Sequence, residues 1–167
     1  MAYFYKYQNN YFIFAKDAPE FEKEKNKIFL FKDVNDAKLF QKFSGNKTAV
    51  ISSSPETISF WTKKKINYII NPFNFYSVGF DKNIFSQIIQ NKIQPMIILD
   101  KLIINDKDKQ LKIFKHLFLF IKLCKKYKLP VIILSEDLHA TKALYHILGY
   151  NEQQAKNFLS GFNEKKN

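Results

Sequence analysis

The chain has 167 residues, of which 46% are hydrophobic, enough to bury the core of one domain and too apolar for a disordered segment. Its net charge of +12 and pI of about 9.6 favour an anionic partner such as nucleic acid or an acidic surface. A single cysteine, Cys124, excludes a disulfide framework and a multi-cysteine zinc or iron–sulfur site, and no window nears the roughly 18 uncharged apolar residues of a membrane span, so the sequence reads as soluble and cytoplasmic, with no membrane partner.

In chain order, Ala2 to Tyr7 and Tyr11 to Ala15 are aromatic runs around Gln8-Asn9-Asn10, which predicts a hairpin. From Lys27 the pattern changes to alternating units. Ile28 to Phe31 reads as a strand. Asn35 to Phe43 reads as a helix, with Leu39, Phe40 and Phe43 on one side and Gly45 at its end. Thr48 to Ser52 is the next strand. Ser54 then caps a helix with Pro55 at its first position and Glu56 in its first turn, running through Ile58, Phe60 and Trp61 towards Lys63, Lys64 and Lys65. Asn67 to Ile70 is a third strand, and beyond the loop from Asn71 to Asp81 a helix carries Ile84, Phe85, Ile88 and Ile89. Met96 to Leu99 is a fourth strand, Asp106 to Leu129 a long helix and Val131 to Leu134 a fifth strand; two helices finish the chain.

Short, nearly all-apolar strands between helices argue for parallel pairing buried on both faces. The sequence has no Gly-x-Gly-x-x-Gly turn and no phosphate-binding loop, and only four glycines, which disfavours a nucleotide-binding open sheet. A full eight-unit barrel needs about 200 residues or more. The expectation is therefore one α/β domain over residues 1–167, an irregular, shortened TIM-barrel-like fold with alternating strands and helices.

Chemistry is thinly represented. The histidines are His116, His139 and His146, and the last two lie about 10 Å apart along one predicted helix, too far to share a zinc with ligands at about 2 Å. Asp100 stands at a strand end, where barrel enzymes place catalytic groups, and Glu136 and Asp137 follow another strand. Asp137 reads more simply as a helix cap, and Ser135 has neither an identifiable partner nor a Gly-x-Ser-x-Gly elbow. Cys124 falls on an apolar helix face and reads as core. The residues thus nominate no catalytic group, metal site or cofactor.

The basic residues say more. All 27 Lys+Arg residues are lysine, and with the many Phe, Ile, Asn and Tyr this is the composition of an AT-rich genome, which explains part of the excess. Lysine is a mobile point charge, so phosphate-backbone binding is open while arginine's two-pronged readout of guanine is excluded. On the long helix, Leu111, Phe114, Leu117, Phe118, Ile121 and Cys124 form an apolar stripe, widened by Ile113, Phe120, Leu123 and Tyr127. Lys112, Lys115, Lys122 and Lys126 share another face around Leu119 and are candidate RNA contacts. Lys63, Lys64 and Lys65 form a second cluster at a helix C-terminus, where cations also complement the helix dipole.

Four pieces from Asn67 onward share an order with a known family: the strand ending Asn71-Pro72; Gly79-Phe80-Asp81 opening a helix; Lys126-Tyr127-Lys128-Leu129-Pro130 before the strand ending at Ser135; and Leu148-Gly149-Tyr150 before Ala155 and Leu159. From about Asn67 to Phe162 the chain resembles the thirty-kilodalton protein subunit family of archaeal and eukaryotic ribonuclease P, a barrel related to the polymerase-and-histidinol-phosphatase barrels. That resemblance implies a TIM-like barrel and a non-catalytic subunit of an endoribonuclease holoenzyme. Its partners would be a small ferredoxin-like protein subunit and the ribonuclease P RNA, with precursor tRNA met indirectly as its 5′ leader is removed. The chain departs from the family where a His-Pro loop reads Asn71-Pro72-Phe73, and where an arginine-bearing insertion between Ser135 and Leu138 is missing, which moves the expected RNA contacts onto lysines. The alternative from another class is a metal-dependent phosphoesterase on a related barrel.

Overall fold

The apolar runs become seven strands in the computed structural model of the chain, which describes residues 3–21, 26–43 and 45–163, the side chains of 20–21 and 158–163 excepted. The Ala2 end of the first expected strand and the Leu159 side chain lie outside these residues. The strands are β1 (Tyr5–Tyr7), β2 (Asn10–Phe14), β3 (Lys27–Phe31), β4 (Lys47–Ile51), β5 (Tyr68–Ile70), β6 (Gln94–Ile98) and β7 (Ile132–Leu134). Their order in the sheet is their order in the chain. A tight turn with Gln8 at φ 52° makes β1 antiparallel to β2, and every later pair is parallel.

Strand alternation sorts the side chains into two cores. One face of all seven strands meets in a single cluster: Tyr5 and Tyr7, Phe12, Ile28 and Leu30, Ala49, Ile70, Met96 and Ile98, Ile132 and Leu134. Tyr5 of β1 also meets the other edge of the sheet, donating at 2.6 Å to Asp100, which holds Ser135 and Glu136 beyond β7, so the sheet curls into a nearly closed barrel-like form. The other face, with Phe29, Phe31, Val50, Ile69, Ile97 and Ile133, packs against the helices. There Trp61 lies 4.7 Å from the Phe31 ring and Phe120 lies 5.8 Å from Phe85. Burying each such ring contributes about 2–3 kcal/mol.

The seam between β7 and β1 is closed by side chains. Tyr145 reaches the free edge of β7, where its hydroxyl accepts from Ile133 N at 2.9 Å and donates to Val131 O at 3.1 Å. One buried hydroxyl thus satisfies two backbone groups that another strand would have paired.

The helices are α1 (Ala37–Phe40), α2 (Pro55–Thr62), α3 (Lys82–Gln90), α4 (Lys107–Lys126), α5 (Leu138–Ile147) and α6 (Glu152–Asn163). The expected helix from Asn35 to Phe43 is broken: a single α turn sits between two 3-10 turns. Asp33 accepts from Asn35 N, while the Asp36 carboxylate turns back to Lys32 N and Asp33 N, a local pattern that competes with regular helix. The cap at Ser54 forms as expected, its hydroxyl accepting from Thr57 N, and Asp81, Asp106 and Asp137 cap α3, α4 and α5 in the same way. The helix before Lys63 ends at Thr62, leaving the three lysines in the turn that follows. Gly79 precedes α3 because a Cβ there would collide with the Ile58 side chain and stand 2.9 Å from the Ser53 carbonyl carbon.

Three helices end alike. After α5, Gly149 takes φ +73° and Tyr150 N returns to Tyr145 O, the hydrogen-bonded ending in which glycine is favoured. After α3 the same position holds Lys92 at φ 54°, with Ile93 N bonded to Ile88 O; after α4 it holds Lys128 at φ 55°, with Leu129 N bonded to Cys124 O. A lysine backbone in the left-handed region costs roughly 1 kcal/mol that glycine avoids.

Candidate nucleic-acid interface

Since β2 to β7 run in parallel, the barrel has two chemically distinct ends. Segments leaving the strands and starting the helices gather at the upper end, and segments returning from the helices gather at the lower one.

Acidic residues mark the upper end, and most have a local task. Asp33, Asp81, Asp106 and Asp137 cap helical segments, as carboxylates at helix N-termini do. Asp100, just past β6, ties the seam together: it accepts from Tyr5 Oη at 2.6 Å, Ser135 Oγ at 2.6 Å and Glu136 N at 2.9 Å. Burial opposes its charge, but the bonds from Ser135, Tyr5 and the Glu136 amide, with Lys101 nearby, hold its carboxyl below the ordinary range. Burial first, then the hydrogen bond to Asp100 and its charge, pushes the Tyr5 phenol well up, so Tyr5 is a neutral donor at physiological pH. A groove of about 710 Å³ along this seam is lined by Tyr3, Phe4, Tyr5, Asp100, Lys101, Ser135 and Glu136 among others.

Sequence reading left Ser135 without a partner; the fold supplies Asp100 and adds Tyr5 from the far end of the chain. The trio is poorly suited to nucleophilic chemistry. Activation of a serine needs a base with appetite for its proton, and a carboxylate with a depressed pKa that already accepts three hydrogen bonds has little. Asn71, where the resembled family carries histidine, is committed to the backbone of β6: its side chain donates to Ile98 O at 3.1 Å and accepts from Ile98 N at 3.0 Å. His116 is half-buried, with Nδ1 2.7 Å from Asn74 O, and His139 and His146 are exposed on α5. Among the described residues no group of three His, Cys, Asp or Glu is placed to hold a metal ion. Cys124 is buried, and burial pushes its thiol well up.

The lower end is basic. Described segments that enter the parallel strands carry Lys27, Lys47, Lys63, Lys64, Lys65, Lys92 and Lys128 and no carboxylate. Lys63, Lys64, Lys65 and Lys92 border an open hollow of about 730 Å³ below β5 to β7, whose other lining residues include Asn67, Tyr68, Asn91, Gln94 and Asn157. Its floor is fixed: Asn67 accepts from Thr48 N at 2.8 Å and Asn91 donates to Thr62 O at 2.8 Å, while the Gln94 amide donates to Pro130 O.

Lys112, Lys115, Lys122 and Lys126 are exposed on α4 around Leu119, as the spacing predicts. The apolar stripe expected beside them needs correction. Ile113, Leu117, Phe120, Ile121 and Cys124 are buried, but Leu111 is 70% and Phe118 43% exposed, and with Leu119 they share the lysine face. Only one side of α4 meets the sheet, so a stripe wide enough to wrap the helix leaves its margin in solvent. None of the seven candidate lysines, Lys63 to Lys65 and the four of α4, is in an ion pair among the described residues; the pairs there are Lys109 with Asp106 and Lys156 with Glu152.

No helix among the described residues is long and apolar enough to cross a membrane. No model of a known protein family matches the chain, and no curated protein is significantly similar to it.

Proposed function

We propose that this protein is a non-catalytic subunit of ribonuclease P, folded as a shortened TIM-like barrel, that supports RNA-catalysed removal of the 5′ leader from precursor tRNA. In this reading it binds the catalytic RNA through lysines and a small ferredoxin-like protein through another surface. The observation that carries the proposal is the set of seven exposed lysines outside any ion pair of the described residues, on a chain of net charge +12. Point charge outside ion pairs is what phosphate-backbone binding uses. The order of motifs from Asn71-Pro72 to Leu148-Gly149-Tyr150 supports the family, and strands in chain order with helices on their outer face support the TIM-like reading. The employment of Asp100, Asp137 and Ser135 in caps and the seam is consistent with chemistry left to the RNA.

Reconstitution tests it. Precursor-tRNA cleavage by the ribonuclease P RNA, with its other protein subunits, is measured with and without this chain at several salt concentrations. Faster cleavage or tighter RNA binding that weakens steeply with salt is expected; cleavage and affinity unaffected by the chain sink the proposal.

A further inference from the structure

We infer that the hollow at the lower end of the barrel, bordered by Lys63, Lys64, Lys65 and Lys92, is the main phosphate-binding site of the protein and holds the backbone of an RNA strand. The inference rests on the RNA-binding reading above and names the place where that binding happens.

Helix-dipole complementation is the competing explanation for these lysines, and it falls short on three counts. Dipole attraction fades within the last helical turn, whereas α2 is followed by three successive lysines, all exposed. These converge with Lys92, from the end of a different helix, on one hollow whose described lining includes no carboxylate. Lys92 also stands at φ 54° in the position where the chain uses Gly149 after α5. Local backbone energy favours glycine there, so the charge is kept against a conformational cost, as happens at functional positions.

The ligand follows from the lining. Lysines supply point charges suited to phosphate without the bidentate geometry that would fix a base. Asn67, Asn91 and Gln94, held by bonds within the fold, give the hollow a polar floor beneath those charges. A volume of about 730 Å³ is within the range of about 300–1,000 Å³ that encloses a small ligand. The hollow is open, and basic character at this end is not confined to its lining, since Lys128 stands on the segment that enters β7 beside Pro130, which favours a strand over a free nucleotide.

The test compares two quadruple variants of the full chain, K63Q/K64Q/K65Q/K92Q in the hollow and K112Q/K115Q/K122Q/K126Q on α4, for binding to ribonuclease P RNA and to a labelled single-stranded RNA across a salt series. The hollow variant should lose about ten- to hundredfold in affinity, and its log–log salt slope on the single strand should shrink by up to about 3, from about 0.7 per phosphate contact. The α4 variant should lose less. A third variant, K92G, should melt no lower than the parent yet bind RNA more weakly, which separates loss of charge from loss of fold. If α4 removal abolishes binding and hollow removal leaves it intact, the inference is wrong and the RNA-binding reading survives. A parent protein that binds neither RNA overturns both. Displacement of RNA by tripolyphosphate or ATP at concentrations well below those set by ionic strength alone would instead assign the hollow to free polyphosphates.

Discussion

The two ends of this barrel are built from the same kinds of segment and differ in what their charges do. At the upper end, carboxylates are committed one by one: Asp81, Asp106 and Asp137 to helix caps, Asp100 to three donors across the seam. At the lower end, Lys63, Lys64, Lys65 and Lys92 border a hollow without a carboxylate partner among its described lining residues. Both sets stand at or just beyond the ends of helical segments. The difference is that the acids also make specific hydrogen bonds that hold the fold. A charge that contributes little to the fold is free to serve a partner, and among the described segments entering the strands at the lower end those charges are positive.

Mutations can break that comparison. The largest effect is expected from Asp100→Ala, which leaves Tyr5 Oη, Ser135 Oγ and the Glu136 amide without their acceptor; a stability loss of about 3 kcal/mol in urea unfolding is predicted. A loss under about 0.5 kcal/mol would mean that the seam does not depend on this carboxylate. Next come the caps: Asp81→Ala and Asp137→Ala should each cost about 1 kcal/mol, read from the same midpoints. Acid provides a third, smaller contrast. Because Asp100 titrates below its ordinary range in the folded protein, its contribution is complete above that range and is lost as pH falls through it. Stability between neutral and acid pH should therefore fall less in Asp100→Asn than in the parent, and parallel curves would contradict the assignment. The smallest effect belongs to the lower end, where K63Q/K64Q/K65Q should change stability by no more than about 0.5 kcal/mol. A cost as large as a lost cap would make these lysines structural and blur the distinction between the ends.

Much of the fold was legible because its signals are local. The hairpin around Gln8-Asn9, the caps at Ser54 and Asp137 and the strands ending near Ile70, Ile98 and Leu134 follow from turn chemistry, capping and short apolar runs. The broken helix after Asp33 was not legible, because the second carboxylate, Asp36, can satisfy backbone groups before the helix as well as belong to it. Helical spacing located the faces of α4 but not the angle at which the sheet cuts them off, which is why Leu111 and Phe118 are exposed. The seam could not be foreseen at all: Tyr5 and Asp100 are 95 positions apart, and only closure of the sheet brings them to 2.6 Å. Lys92 had a readable clue, since Asn-Lys-Ile places a non-glycine residue between a helix end and the next apolar residue, the pattern repeated in Tyr127-Lys128-Leu129.

The Tyr145 hydroxyl also sets a timetable. During synthesis β7 leaves the ribosome before α5, so Val131 O and Ile133 N must wait for residue 145 before they are paired. Until then a short, wholly apolar strand offers an open edge, the template on which chains join one another rather than themselves. A nascent chain stalled before Tyr145, or a protein truncated there, would carry that edge permanently, so completion of this barrel depends on residues that contribute nothing to its strands.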